Sequence, residues 1–113
     1  MSVDKTDIKI GDGAEVVKHK NVSVHYTLTL GGFEGTPGAK VIDTSRSRGK
    51  LFKYKSASGQ VIQGWDEGVM GMKVGGKRKL IIPSSLGYGD AGAGSLIPGG
   101  STLYFDIELF KVE

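Results

Sequence analysis

Helical spacing of apolar residues occurs convincingly once in this chain, at Trp65, Val69 and Met72, which stand at i, i+4 and i+7 and would line one side of a short helix. The other patterned segments alternate with period two, so most of the structure has to be built from strands. Asn21–Leu30 is the clearest of them. Val22, Val24, Tyr26, Leu28 and Leu30 fall on one side and Ser23, His25, Thr27 and Thr29 on the other, the pattern of a half-buried strand. Leu51–Lys55 sets Phe52 and Tyr54 on one face, and Lys77–Ile82 sets Leu80 beside Ile82 before Pro83 closes the run. Leu103, Phe105, Ile107 and Leu109 share one face of a long C-terminal strand. A short strand is expected around Val41 and Ile42, after the turn-rich stretch from Gly31 to Lys40, and Ile8 and Ile10 suggest a further edge strand. Gly75-Gly76 supplies the left-handed conformation expected to end the helix. Antiparallel strands packed on one helix make an α+β fold.

With 113 residues the chain suffices for one core and not two, so a single domain over residues 1–113 is expected. Its 19 glycines follow no regular period, which indicates many tight turns and excludes collagen. No run approaches the roughly 18 apolar residues of a membrane span, and the first residues lack the apolar core of a secretory signal. A soluble, cytoplasmic protein without membrane association is the expectation. The absence of cysteine excludes disulfides, a cysteine nucleophile and thiolate metal sites. A net charge of +3, with cations scattered over Lys18–Lys20, Arg46–Lys55 and Lys73–Lys79, reads as a solvated surface.

Several motifs point to chemistry that their surroundings exclude. Gly87–Gly92 matches G-x-G-x-x-G, but glycines, Ile97-Pro98 and a strand follow it where a dinucleotide site needs a helix. The glycines at 64, 68, 71 and 75 resemble a membrane helix-pairing pattern; in a chain like this they permit close approach of helix to sheet. His19 and His25 belong to no metal-ligand spacing, and no Gly-x-Ser-x-Gly elbow is present. Lys77, Arg78 and Lys79 alternate across a strand without an aromatic stacking platform, so nucleic acid is not expected as a partner. No cofactor or metal is expected. What is left is an apolar surface built around the only Trp.

Val61-Ile62-Gln63-Gly64-Trp65-Asp66-Glu67-Gly68, then Gly87-Tyr88-Gly89, Ile97-Pro98 and Thr102–Leu109, closely resemble the FKBP family of peptidyl-prolyl cis-trans isomerases. Val24-His25-Tyr26-Thr27 and Asp43-Thr44-Ser45-Arg46 extend the likeness upstream, so that it covers nearly the whole chain. The resemblance implies a twisted antiparallel sheet of about five strands wrapped around the helix, with an apolar pocket between them. It implies acceleration of rotation about Xaa-Pro bonds in peptides and proteins, inhibition by tacrolimus- or rapamycin-type macrolides, and a monomer.

Carried over position by position, the catalytic pocket would have Trp65 as its floor and Tyr26, Phe52, Val61, Ile62, Ile97 and Phe105 as walls. The Ile62 N–H and the Tyr88 hydroxyl would donate to ligand carbonyls, and the Gln60 carbonyl would accept. Asp43 would sit at the edge, oriented by Tyr26 and Arg48, with Ile42 and Leu96 completing the macrolide-binding surface. Taken singly, Trp65, Phe52 and Phe105 also fit a plain core, Tyr88 a loop cap and Asp43 a turn. A binding module that only holds proline segments is the alternative to an enzyme. Ile42 stands where many members have Phe, Leu28 where Gly is frequent, and Ala93-Gly94 where some have bulkier residues; the segment 31–40 is a few residues longer than in the shortest members.

Overall fold

A computed structural model describes residues 2–113. Six strands form one antiparallel sheet: β1 (Asp4–Lys9), β2 (Asn21–Leu30), β3 (Lys40–Thr44), β4 (Phe52–Lys55), β5 (Lys77–Ile82) and β6 (Leu103–Val112). A single α-helix, α1 (Gln63–Val69), lies against it, and 3-10 turns occupy Arg46–Arg48 and Ser84–Leu86. The spatial order is β1-β5-β6-β2-β3. β4 lies off that path because β2 is long enough to hold two partners on one edge, with residues 21–24 pairing β4 and residues 27–30 pairing β3. The α+β class is as expected, with six strands in place of about five. The extra one is the N-terminal edge strand, which stops at Lys9, leaving Ile10 outside it.

One face of the sheet carries the core. Val22, Val24, Tyr26 and Leu28 from β2, Leu80 and Ile82 from β5, and Leu103, Phe105, Ile107 and Leu109 from β6 are buried there with Trp65 and Val69 of α1. These are the faces that the alternation assigned. Val16, 1% exposed, is a core residue that no periodicity announced; its N–H and C=O bond Met72 and Gly71, so the connection after β1 closes one end of the core.

Two expectations need correction. The strand β2 is not half-buried, because Ser23, Thr27 and Thr29 on its second face are also buried. Cross-strand neighbours cover them. The ion pairs Arg46–Glu108 (2.5 Å) and Lys79–Asp106 (2.6 Å) lie over that face, and Phe33 from the 31–39 loop packs edge-on against Tyr104 (5.2 Å). Long side chains thus roof a surface whose own residues are small and polar. The helix, in turn, ends before Gly75-Gly76. Met70 takes an extended conformation (φ −55°, ψ 133°) and Gly71 is left-handed, so Met72 is buried from beyond the helix, while Gly75 serves the turn into β5.

Arg78 closes that helix end. Its guanidinium donates to the carbonyls of Gly68 (2.8 Å) and Met70 (3.0 Å) and pairs with Asp7 (2.7 Å), so a cation satisfies orphan carbonyls at the negative end of the helix dipole. Its side chain is only 10% exposed, whereas the sequence placed it among surface cations.

The glycines of α1 set how near it lies to the sheet. A Cβ on Gly64 would overlap the Ile82 side chain, and one on Gly68 would come within 2.7 Å of Leu80 Cδ1. Both neighbours are fully buried and have little space to yield. No helix among the described residues is long and apolar enough to cross a membrane. The Gly64→Ala substitution is expected to lower stability in urea unfolding by about 1–2 kcal/mol, overpacking outweighing the roughly 1 kcal/mol gain in helix propensity. Exposed Glu67→Ala should change it by less than about 0.5 kcal/mol.

Candidate active site

The helix enters from a tight segment, Ser56–Ile62, whose shape depends on Asp66. That carboxylate, in the first turn of α1, accepts the N–H groups of Ala57 (3.0 Å) and Gly59 (3.2 Å). Ala57 is held at φ 56°, a conformation that a residue with a Cβ resists, so the tether has work to do. The Gln60 side chain fixes the same segment to β4 by accepting from the Lys55 N–H (2.9 Å). The Ile62 carbonyl accepts from Trp65 (2.9 Å) and Asp66 (3.2 Å), while no carbonyl of the described residues accepts the Ile62 N–H.

Trp65 then projects into a cluster of rings. Tyr26, Phe52, Tyr54 and Phe105 all have centroids within 5.2–5.6 Å of the indole, Tyr26 edge-on at 83° and Tyr54 stacked at 29°. Such contacts add about 0.5–1.5 kcal/mol per pair beyond area burial. Rigid rings meeting at these angles do not fill the space above them. A hollow of about 330 Å³ opens there, lined by Tyr26, Leu28, Asp43, Phe52, Gln60, Val61, Ile62, Trp65, Tyr88 and Phe105.

A β-bulge places the carboxylate of the lining. Leu28 pairs with Asp43 and Thr29 with Val41, so Ile42 drops out of the ladder and Asp43 is aimed to the same side as Leu28 and Tyr26. The Tyr26 hydroxyl donates to Asp43 Oδ2 (2.5 Å), Arg48 Nη1 to Asp43 Oδ1 (2.7 Å) and Arg48 Nη2 to the Tyr26 hydroxyl (3.0 Å). The three groups close a ring of charge-assisted hydrogen bonds. Burial alone would push the Asp43 carboxyl up, but the bonds from Tyr26 and Arg48 and the guanidinium charge outweigh it and hold Asp43 below its ordinary value. Burial, together with the bond to Asp43, raises the Tyr26 phenol. The Tyr54 phenol is pushed up by burial and then by the Asp66 charge; among the described residues neither its hydroxyl nor Trp65 Nε1 has a hydrogen-bond partner.

Of the thirteen positions singled out in the sequence, nine line this hollow. Arg48 lies outside it and reaches it through Asp43 and Tyr26. Ile42 packs against the core from the bulge, Ile97 is buried in the core, and Leu96 is 54% exposed on its loop, so none of these three lines the hollow. Leu28 does line it; its place beside Tyr26 in the alternation was the available signal. The loop that holds Gly87–Gly92 is turned back by an Ala93–Ile97 bridge and leads into β6 with no helix following. Among the described residues no group of three His, Cys, Asp or Glu side chains could hold a metal ion.

The model of the FKBP-type peptidyl-prolyl cis-trans isomerase family matches residues 13–110. The chain belongs to that family. Among similar FKBP proteins, an FK506-binding protein of Neisseria meningitidis serogroup A is 51% identical over 106 residues, which span 94% of this chain and 92% of that one. Peptidyl-prolyl cis-trans isomerase Fkbp12 of Drosophila melanogaster is 46% identical over the full length of both. The crystal structure of AtFKBP13 superposes with a TM-score of 0.85 at 38% identity, covering 98% of this chain and 93% of that one. The six-stranded sheet with one short helix is therefore the FKBP architecture.

The ring of Tyr26, Asp43 and Arg48 makes stability depend on pH in two windows. The Asp43 carboxyl is lowered by folding, so its contribution is present above the unfolded value near 3.9 and is lost as pH falls through the folded one. The Tyr26 phenol is raised, so its contribution is complete below about pH 10 and is lost as pH rises through the folded value. Asp43→Asn should lower stability at pH 7 by about 0.5–1 kcal/mol, because exposure screens the ion pair, and should flatten the decline below pH 4 in urea titrations. An acid limb unchanged by the substitution would mean that other carboxylates produce it.

Proposed function

We propose that this chain accelerates cis-trans rotation about Xaa-Pro peptide bonds, with the prolyl ring seated in the hollow above Trp65. Macrolides of the tacrolimus and rapamycin type bind the same hollow and block it. The observation that carries this reading is the lining itself: five aromatic rings and three aliphatic side chains around about 330 Å³, with polar groups gathered at Asp43 and Gln60. That volume lies at the small end of the range for ligand pockets, roughly 300–1,000 Å³. Family membership supports the reaction, and a relative bearing the name FK506-binding protein supports the ligand class.

The chemistry needs no nucleophile. Rotation about an Xaa-Pro bond meets a barrier of about 18–20 kcal/mol because it destroys the partial double bond of the amide. The planar amide separates charge and is well solvated by water; the twisted amide has localised its nitrogen lone pair and is less dipolar. Transfer into a lining of rings and aliphatic groups raises the planar state more than the twisted one, which lowers the barrier between them. A millionfold acceleration corresponds to about 8 kcal/mol, more than desolvation alone supplies, so orientation has to contribute. The Ile62 N–H and Tyr88 hydroxyl donate to carbonyls of the peptide, and the Gln60 carbonyl accepts one of its N–H groups. These bonds fix the flanks while the carbonyl before proline turns. Asp43 is assigned no proton transfer; held by Tyr26 and Arg48, it keeps two edges of the hollow in place.

An isomerisation assay on a Leu-Pro peptide, with and without macrolide, tests the proposal directly. Catalysis suppressed by the macrolide is expected, and binding of the peptide without acceleration would reduce the protein to an adhesive module. Phe105→Ala and Trp65→Leu should each lower kcat/KM and macrolide affinity at least about tenfold, as expected when a buried aromatic at a binding centre is removed. Lys77→Ala, on the opposite face, should leave both nearly unaltered. Equal losses from all three would argue against a localised pocket.

Tyr88→Phe isolates one bond. The macrolide dissociation constant should rise by the equivalent of about 0.5–1.5 kcal/mol, and an unchanged constant would remove that hydroxyl from the contacts.

A further inference from the structure

Beside the hollow above Trp65 is a second groove of about 410 Å³, lined by Arg48, Lys50, Leu51, Phe52 and Lys53. Phe52 lines both, so the two meet at one residue. Three of the five residues of this groove are cations and none is an acid. Arg48 is occupied by Asp43 and Tyr26. Lys50 and Lys53 are exposed and, among the described residues, have no carboxylate within ion-pairing distance. Within residues 46–55 there is no acidic side chain at all. An uncompensated positive rim beside a ring-lined hollow attracts negative charge to that flank and repels positive charge.

We infer that this site selects Xaa-Pro segments carrying an acidic side chain on the flank that runs over Phe52, where Lys50 and Lys53 receive it. The inference rests on the isomerase reading above and specifies its substrate class. A peptide in extended form advances about 3.3 Å per residue, so a Glu about two residues from the proline lies outside the hollow and over the groove. The preference acts by attraction to exposed ammonium groups, so it is moderate in size and sensitive to salt.

The test uses Leu-Pro peptides that differ only in Glu, Gln or Lys placed on either side of the proline. Isomerisation is followed by NMR exchange, and binding by the fluorescence of Trp65, the only Trp in the chain. The Glu peptide on one flank should exceed its Gln counterpart about three- to tenfold in kcat/KM and in affinity at about 20 mM salt, with the difference vanishing near 0.5 M. In the double variant Lys50→Glu, Lys53→Glu the order should invert in favour of the Lys peptide, whereas Lys77→Glu on the far face should keep the original order. Equal handling of Glu and Gln peptides, or a preference that survives the double charge reversal, would overturn the inference. Should the Gln peptide bind without being isomerised, the catalytic reading fails, and the binding comparison still decides the charge preference.

Discussion

The close seating of α1 on β5 governs most of what this molecule can do. With Gly64 against Ile82 and Gly68 against Leu80, the helix backbone comes down onto the sheet at one side, and Trp65 is carried onto the sheet's core face. The remaining space there has to be occupied by side chains from β2, β4 and β6. Those side chains are Tyr26, Phe52 and Phe105, flat and stiff, and their edge-on and tilted contacts with the indole consume the depth of the core without filling its breadth. The hollow is thus a product of packing geometry. Flexible aliphatic chains in the same places would collapse into it.

Its polar edge follows from a single irregularity. The bulge opposite Leu28 and Thr29 removes Ile42 from the ladder and turns Asp43 inward, where Tyr26 and Arg48 share it. A carboxylate facing apolar rings is costly when unpaired, and here each oxygen has a donor. The same arrangement uses up the charge of Arg48, which is why the groove beyond Phe52 is defined by the two lysines.

Much of this was legible in the chain. Alternation identified the core faces of β2, β5 and β6, and the spacing of Trp65 and Val69 located the helix, since both patterns report burial on one side of a regular element. The errors arose where burial comes from elsewhere. Thr27 and Thr29 are covered by partners supplied by β5, β6 and two loops, which no period within β2 encodes. Arg78 is hidden because the helix end requires a donor, a need visible only after helix and strand are adjacent. Met72 continued the helical period in sequence but lies beyond Met70, whose extended backbone ends the helix. Of the residues that resemblance to the FKBP family brought together, nine line the hollow, while Ile42, Leu96 and Ile97 lie outside its lining, where the bulge and the path of the 90–100 loop decide the position of each side chain.

The outermost strand has a separate consequence. Every residue of β1 is exposed, it pairs only with β5, and Asp4, Lys5, Asp7 and Lys9 make four of its six positions charged. A free ladder edge invites another chain to dock by its backbone, and alternating charge of both signs makes that docking unfavourable for most sequences. Such a border disfavours growth of the sheet, edge to edge, into a second molecule.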